Sequence, residues 1–157
     1  MEQLEARVAR LEDDREILRT LHGYAHAIDY GDVDAWVDCF AEDALFEVRG
    51  RIQYSIRGRA ALREFVARHT HAPEAWHKHF MVEPFVDVDG DAAACRSYFT
   101  VLRDDGGVPV VGIFGRYRDQ LRREPDGRWR FVERVAEVEV WRSDLPPLVV
   151  SSPATGR

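Results

Sequence analysis

The amino-acid sequence predicts an α+β fold in which three N-terminal helices cover one face of a strongly curved, mixed or antiparallel β-sheet. The first half of the chain places apolar residues at helical spacing, whereas the second half, from Trp76 onward, alternates apolar and polar residues in four long runs. Three glycine-containing turns separate these runs, so successive strands are expected to pair as hairpins. Long strands twist, and such a sheet wraps around a hollow that the helices close.

The individual elements follow from residue spacing and turn residues. Apolar residues recur every three or four positions over Leu4–Asp29, which predicts one long helix with these residues on one face. Gly31 ends this helix, Asp32 caps a second helix over Val33–Phe40, and a third helix is expected over Arg59–His69. The stripe of the first helix consists of Leu4, Val8, Leu11, Leu18, Leu21, Ala25 and Ile28. Strands are expected over Ala44–Val48, Gln53–Ile56, Trp76–Val88, Ala92–Leu102, Val108–Arg122 and Arg128–Arg142.

The chain of 157 residues is predicted to form one compact domain over 1–143, followed by a proline-containing tail over 144–157. Its 28 acidic and 22 basic residues leave a formal charge of −6, which argues against nucleic acid as a partner because phosphate binding needs a clustered positive field. Cys39 and Cys95 lack zinc-site spacing, so buried reduced thiols are expected. Neither an export signal nor a membrane segment is predicted, and a cytoplasmic protein is expected.

Asp29 is an unusual residue in the predicted first helix. It continues the line of Leu18, His22 and Ala25 toward the core side, and it lies in the last turn, where the helix dipole disfavours negative charge. A carboxylate that violates both local preferences is typical of a functional site. The alternative interpretation is a frayed helix end that leaves Asp29 in water.

His77 and His79 share one face of the strand predicted to start at Trp76. A face that mixes imidazoles and a carboxylate with apolar side chains is typical of a ligand-binding hollow, and the alternative is a solvent-facing histidine pair near the strand end. Strict alternation continues the histidine face with Met81, Glu83 and Phe85, and it places Phe80, Val82, Val86 and Val88 on the opposite face.

Two kinds of chemistry fit these residues. Both histidines could reach one metal ion, with Glu83, Asp29 or Glu137 as a further ligand, but no recognised ligand spacing accompanies them and no metal is expected. Alternatively, Asp29 orients an imidazole and favours its basic form, so that the ring accepts or shuttles a proton near neutral pH. Such a dyad needs no cofactor, and none is expected.

Several short motifs occur along the chain in the order shown by one known family. They are Tyr24-Ala25-x-x-x-Asp29-x-Gly31-Asp32, Trp36-x-x-x-Phe40, His79-x-x-x-Glu83-Pro84, Gly115-x-Tyr117-x-Asp119 and Trp129-x-Phe131-x-x-Arg134. With these motifs, the stretch Leu11–Trp141 resembles the SnoaL-like branch of the nuclear transport factor 2-like superfamily. The resemblance implies a cone-shaped fold, in which a strongly curved sheet and three helices enclose a pocket.

Within that branch the chain is similar to scytalone dehydratase, bile-acid 7α-dehydratase and hexachlorocyclohexane dehydrochlorinase, which are cofactor-free lyases with an Asp/His pair. The resemblance implies that Asp29 and His79 form this pair and that Tyr24 is a catalytic hydrogen-bond donor. Glu83 stands where many members have asparagine, which changes the local charge. The residues expected to bind substrate are Glu83, Arg134, Trp36, Phe40, Tyr98 and His77.

The predicted function is that of a cofactor-independent acid–base enzyme of the dehydratase, isomerase or cyclase type, acting on a small hydrophobic, polycyclic or aromatic compound. The alternative is a non-catalytic ligand-binding or assembly module, such as a protein resembling the small subunit of aromatic-ring dioxygenases. A homodimer or homotrimer is expected, because the outer sheet positions and the N-terminal stripe carry more apolar side chains than one domain needs. Neither nucleic acid nor a membrane is expected as a partner.

Overall fold

The computed structural model describes residues 1–150, which fold into three helices and six strands. The predicted elements are present, although β1 begins earlier than expected and α3 ends earlier, at Val66 instead of His69. The helices are α1 (Glu2–Tyr30), α2 (Val33–Asp38) and α3 (Arg59–Val66). The strands are β1 (Phe40–Gly50), β2 (Tyr54–Arg57), β3 (His77–Asp89), β4 (Ala92–Asp105), β5 (Val108–Arg123) and β6 (Trp129–Trp141).

All six strands form one sheet in the order β2-β1-β6-β5-β4-β3. The strands from β3 to β6 make consecutive antiparallel hairpins, as the three turns predict, whereas β1 lies parallel to β6. The sheet is therefore mixed, and it does not close, because β2 and β3 remain as edges. The helices contact the sheet, α1 through β3 and β6 and α3 through β1 and β2. The predicted α+β fold is confirmed.

Two residues define the boundary between α1 and α2. Gly31 has a left-handed backbone with φ of 74°, and its N–H donates to the carbonyl of Ala27. A side chain at this position would collide with the ring of His71, so the site has both the conformation and the space that glycine alone supplies. Asp32 then accepts a hydrogen bond of 3.0 Å from the N–H of Ala35, which caps α2 as predicted.

The first turns of α1 do not contribute to the core. Leu4 and Leu11 are 63% and 68% exposed, and Val8 is also exposed. These residues do not reach the core, because contact between α1 and the sheet begins near Asp13, whose carboxylate accepts a hydrogen bond from the indole of Trp129. Neither α1 nor another described helix is apolar enough over a sufficient length to cross a membrane. The buried side of α1 is formed by Ile17, Leu21, Tyr24, Ala27 and Ile28.

A bulge in β3 reverses which side chains face the helices. Glu83 has φ of 52°, and the register of β3 against β4 shifts by one residue just after Val82. Before the bulge His79 faces inward, and after it Val86 packs against the core while Phe85 is 57% exposed. The predicted alternation is therefore wrong beyond Val82, because the extra residue moves the following side chains to the opposite face.

The segment after β6 folds back onto the helical side of the molecule. The N–H of Thr70 donates to the carbonyl of Leu148 at 2.7 Å, and His69 and Val149 form an isolated antiparallel bridge. Leu148 and Val149 also pack against the core. Residues 144–150 of the predicted tail are thus part of the packed structure, whereas 151–157 lie outside the described residues, and a domain limit at residue 143 stays a prediction.

Candidate active site

The inner side of the sheet borders a cavity of about 230 Å³. Its walls are mainly apolar side chains of β1, β4, β5 and β6, and the segment 144–150 supplies a further wall through Pro146, Pro147, Leu148 and Val149. A mostly apolar pocket with a few polar groups is typical of a small-molecule site. The polar side chains that reach the cavity are those of Tyr54, His69, His79, Arg103 and Tyr117.

Asp29 and His79 are hydrogen-bonded to each other behind the cavity wall. Nδ1 of His79 lies 2.6 Å from Oδ1 of Asp29, and the backbone N–H of His79 donates to Oδ2 at 3.0 Å. Because an ionised carboxylate only accepts hydrogen bonds, Nδ1 of His79 carries a hydrogen, and in the neutral ring the lone pair is therefore on Nε2. His79 lines the cavity, so this ring offers a basic nitrogen to a bound molecule.

Asp29 is ionised although its side chain is only 4% exposed. Burial raises the pKa of Asp29, but the hydrogen bonds from His79, together with the charge that this ring carries when protonated, outweigh burial and hold the pKa below its ordinary value. The frayed helix end that the sequence also allowed is therefore not observed. The buried carboxylate of Asp29, at the end of α1, accepts hydrogen bonds from the backbone N–H of His79 in β3.

Two further imidazoles surround this pair. The ring centroids of His69, His77 and His79 lie 5.3–5.7 Å apart. Nε2 of His77 lies 3.6 Å from Oδ1 of Asp29 and has no hydrogen-bond partner among the described residues. Burial, followed by repulsion from the charge that His79 carries when protonated, lowers the pKa of His77 to about 4 and that of His69 to about 3. Both rings are therefore neutral at pH 7.

The sequence does not indicate His69 as a site residue. The pattern predicts it as the last residue of the third helix, where a histidine is unremarkable. In the structure the helix ends at Val66, and the chain then turns so that His69 pairs with Val149 beside the cavity. No local signal marks this arrangement, because it depends on a segment eighty residues further along the chain.

Acidification is expected to destabilise the protein through His77. Its pKa in the fold is about 4, below the ordinary value of 6.5, so between these pH values the unfolded chain binds a proton that the folded chain does not. The free energy of unfolding therefore falls as the pH is lowered from 6.5 to 4, by on the order of 3 kcal/mol for this ring. Urea unfolding of the His77→Gln protein should show a smaller fall, whereas a control at the exposed His26, His26→Gln, should behave as wild type. An unchanged pH dependence in the His77 variant would contradict this assignment.

Asp29, His77 and His79 also bring one potential metal ligand each to within 4.8 Å of the others. The separation of His79 Nδ1 and Asp29 Oδ1, 2.6 Å, is a hydrogen-bond distance. Two ligands of one tetrahedral zinc ion lie ~3.3 Å apart, as follows from metal–ligand bonds of about 2.0–2.1 Å. The arrangement therefore fits a proton shared between Asp29 and His79 better than a metal ion that binds both.

Five other predicted site residues do not line the cavity. Tyr24, Trp36 and Phe40 pack in an aromatic cluster of the core, with ring centroids 5.4 Å apart for Tyr24 and Trp36. Glu83 and Tyr98 are exposed on the outer face of the sheet, because the bulge turns Glu83 outward and alternation along β4 points Tyr98 away from the buried Ser97 and Phe99. In the structure none of the five is placed to contact a molecule in the cavity.

Arg134, also predicted to bind substrate, forms a buried pair with Asp119. The two residues are direct neighbours on β6 and β5, neither side chain is exposed, and Nε of Arg134 lies 3.5 Å from Oδ1 of Asp119. The guanidinium stacks on the rings of Tyr24 and Tyr117, at 4.1 and 3.7 Å from their centres. Burial raises the pKa of Asp119 to about 7, although the charge of Arg134 lowers it. Arg134 thus contributes to the core beneath the cavity.

Comparison with known proteins identifies the family. Residues 9–135 match the family model of the SnoaL-like domain. The chain belongs to the SnoaL-like family. The cone-shaped fold of this branch of the nuclear transport factor 2-like superfamily, which the sequence motifs implied, is therefore confirmed. No curated protein matches the chain.

Solved structures of similar proteins agree with this SnoaL-like assignment. A protein of unknown function from Mycobacterium tuberculosis is 31% identical, with a TM-score of 0.75 over 87% of this chain and 77% of that one. A nuclear transport factor 2-like protein with a cystatin-like fold from Novosphingobium aromaticivorans is 30% identical, with a TM-score of 0.81 over 91% of this chain and 92% of that one. A protein from the same organism, proposed to be the beta subunit of an aromatic-ring-hydroxylating dioxygenase, is 17% identical and shares the fold, with a TM-score of 0.70 over 86% and 94% of the two chains.

Proposed function

We propose that this SnoaL-like protein is a cofactor-independent acid–base enzyme of the dehydratase, isomerase or cyclase type that acts on a small hydrophobic ring compound. The observation that carries the proposal is the 2.6 Å hydrogen bond between Asp29 and His79 at the wall of an apolar cavity. Because the same fold also supports proteins without catalysis, the proposal rests on this site and not on the fold.

His79 acts as the base in this proposal. Asp29 holds the hydrogen on Nδ1, so Nε2 accepts a proton from a carbon–hydrogen bond of the ligand, and the electron pair of that bond forms a new carbon–carbon double bond. The carboxylate of Asp29 stabilises the resulting imidazolium. In a dehydration, the hydroxide that leaves the neighbouring carbon takes the proton from Nε2 and departs as water. In an isomerisation, the new double bond displaces the π electrons of an adjoining carbon–carbon double bond, and these electrons take the proton from Nε2 at the far carbon.

The size and lining of the cavity support a ligand of one or two rings. A cavity of about 150 Å³ holds one benzene molecule, and drug-sized ligands occupy about 300 Å³ or more. The volume of about 230 Å³ lies between these values. Burial raises the pKa of both Tyr54 and Tyr117, so their hydroxyls stay protonated and can donate hydrogen bonds. The donor role expected for Tyr24 fits these two residues better, because they line the cavity.

Solvent-deuterium exchange tests the proposal. A panel of one-ring and two-ring ketones, beginning with 2-tetralone and its ring-hydroxylated derivatives, is incubated with the protein in deuterated buffer, and deuterium uptake beside the carbonyl is followed by mass spectrometry. We expect wild-type protein to accelerate uptake and His79→Gln to slow the catalysed rate by at least about 10²-fold, because the base is lost. The exposed-site control His26→Gln should equal wild type. Equal rates for wild type and His79→Gln would sink the proposal.

A second candidate is a non-catalytic ligand-binding or assembly module. Phe80, Phe85 and Phe114 are 43–57% exposed on the strands β3 and β5, which supports a protein partner or a homodimer or homotrimer. The fold shared with a proposed dioxygenase beta subunit agrees with an assembly role. In that case, light scattering would detect the homo-oligomer or the complex with the protein partner. No ketone of the panel would exchange deuterium faster with the wild-type protein than without it.

A further inference from the structure

His69 reaches the same cavity as His79 from a different part of the chain. It follows α3, pairs through its backbone with Val149, and is 6% exposed. Its ring centroid lies 5.7 Å from that of His79. The acid–base mechanism above gives this buried imidazole no role.

The position of the hydrogen on His69 follows from its neighbour. Nδ1 lies 2.7 Å from the carbonyl oxygen of Thr70. A carbonyl oxygen only accepts hydrogen bonds, so Nδ1 carries the hydrogen and Nε2 is left with its lone pair. Burial is the main cause that lowers the pKa of His69 to about 3, so the ring does not take up a second hydrogen near neutral pH. Nε2 of His69 is therefore only an acceptor.

His69 and His79 both line the mostly apolar cavity, and because Nδ1 of each ring is hydrogen-bonded to an oxygen, Nε2 is the acceptor nitrogen of each neutral ring. Arg103, which also borders the cavity, directs Nη1 to the carbonyl of Pro146 at 2.6 Å. A buried acceptor that loses water without gaining a donor weakens binding by about tenfold or more. A ligand that fills the cavity without supplying a donor is therefore disfavoured.

We propose that His69 is a specificity-determining residue that accepts a hydrogen bond from a hydroxyl group of the ligand. The ligands of this site are then phenols or ring alcohols, in preference to their ethers or the parent hydrocarbons. The ring centroids of His69 and His79 lie 5.7 Å apart, so a single ring of a ligand can contact both imidazoles. This inference rests on the proposed function for the shared cavity, but it concerns binding and not turnover.

Calorimetric titration with 2-naphthol and its methyl ether, 2-methoxynaphthalene, tests the inference. We expect wild-type protein to bind the naphthol about tenfold more tightly than the ether. In His69→Asn the amide nitrogen takes the place of Nδ1 and keeps the hydrogen bond to Thr70, but the acceptor at Nε2 is lost, so the two affinities should become equal. In His69→Gln the amide oxygen lies near the former Nε2, and the preference should persist. The exposed-site control His26→Asn should keep the wild-type ratio.

Equal affinity of the wild-type protein for the two compounds, no measurable binding of either, or an unchanged ratio in His69→Asn would each overturn the inference. If the asparagine variant does not fold, nitrogen NMR of the wild-type protein replaces it, since the Nε2 resonance of His69 should move with 2-naphthol and not with the ether. A resonance that stays in place would overturn the inference. If deuterium exchange depends on His79 but the preference for 2-naphthol over its ether does not depend on His69, only this inference fails. If the preference depends on His69 but no exchange depends on His79, only the proposed function fails.

Discussion

Replacing Asp29 with asparagine is expected to slow the proposed reaction by about 10²–10⁴-fold. The amide can donate a hydrogen bond to Nδ1 of His79, which leaves the hydrogen on Nε2 and removes the basic nitrogen from the cavity. The neutral amide also stabilises an imidazolium less than the carboxylate does. Its oxygen still accepts from the backbone N–H of His79, so the fold should be kept. The rate of deuterium exchange and the thermal midpoint measure the two effects separately.

Asp32→Asn is the matched control for the loss of a carboxylate. Asp32 lies three residues after Asp29, is exposed, and caps α2, a position that asparagine fills equally well. This variant should exchange deuterium at the wild-type rate. A folded Asp29→Asn protein with the wild-type rate would show that the carboxylate does not act on His79.

Replacing Arg134 with methionine is expected to reduce the free energy of unfolding by about 3–5 kcal/mol. The change leaves the carboxylate of Asp119 in the core, where neither oxygen has a hydrogen-bond partner among the described residues. Burial already raises the pKa of Asp119 to about 7, and without the charge of Arg134 it would rise further. Urea unfolding at pH 7 measures the loss.

The double variant Arg134→Met/Asp119→Leu distinguishes a coupled pair from two independent residues. Apolar side chains of similar volume often replace a buried ion pair with little loss, so the double variant should be more stable than Arg134→Met alone. A destabilisation equal to the sum of those of the single variants would mean that the two side chains do not act as a pair.

The Asp29–His79 arrangement illustrates what the sequence can predict. Asp29 is conspicuous because it violates helix preferences at a position that Gly31 and Asp32 define, and both of these are local signals. The inward orientation of His79 follows from the alternation of side chains, which holds from the start of β3 as far as Val82. Helical periodicity and strand alternation are thus sufficient to predict which way a side chain faces, as long as the backbone of the helix or strand is regular up to that residue.

Other parts of the site depend on contacts that no local pattern contains. Glu83 adopts a positive φ that its residue type does not indicate, although Pro84 within a strand is a warning of irregular pairing. His69 reaches the cavity because α3 ends early and Val149 pairs beside it. Tyr24 contacts Arg134 and aromatic rings instead of a ligand, because side-chain directions within a core are set by packing.

The parallel pairing of β1 with β6 has a consequence for the order of folding. It joins residues about ninety positions apart, such as Phe40 and Phe131, and closing so long a loop costs entropy before the contacts form. During synthesis β1 can pair with β2, but its other edge has no partner until the last strand has been made. The cavity wall also needs Leu148 and Val149. A nascent chain that stops before β6 therefore contains both Asp29 and His79 but lacks the enclosure around them.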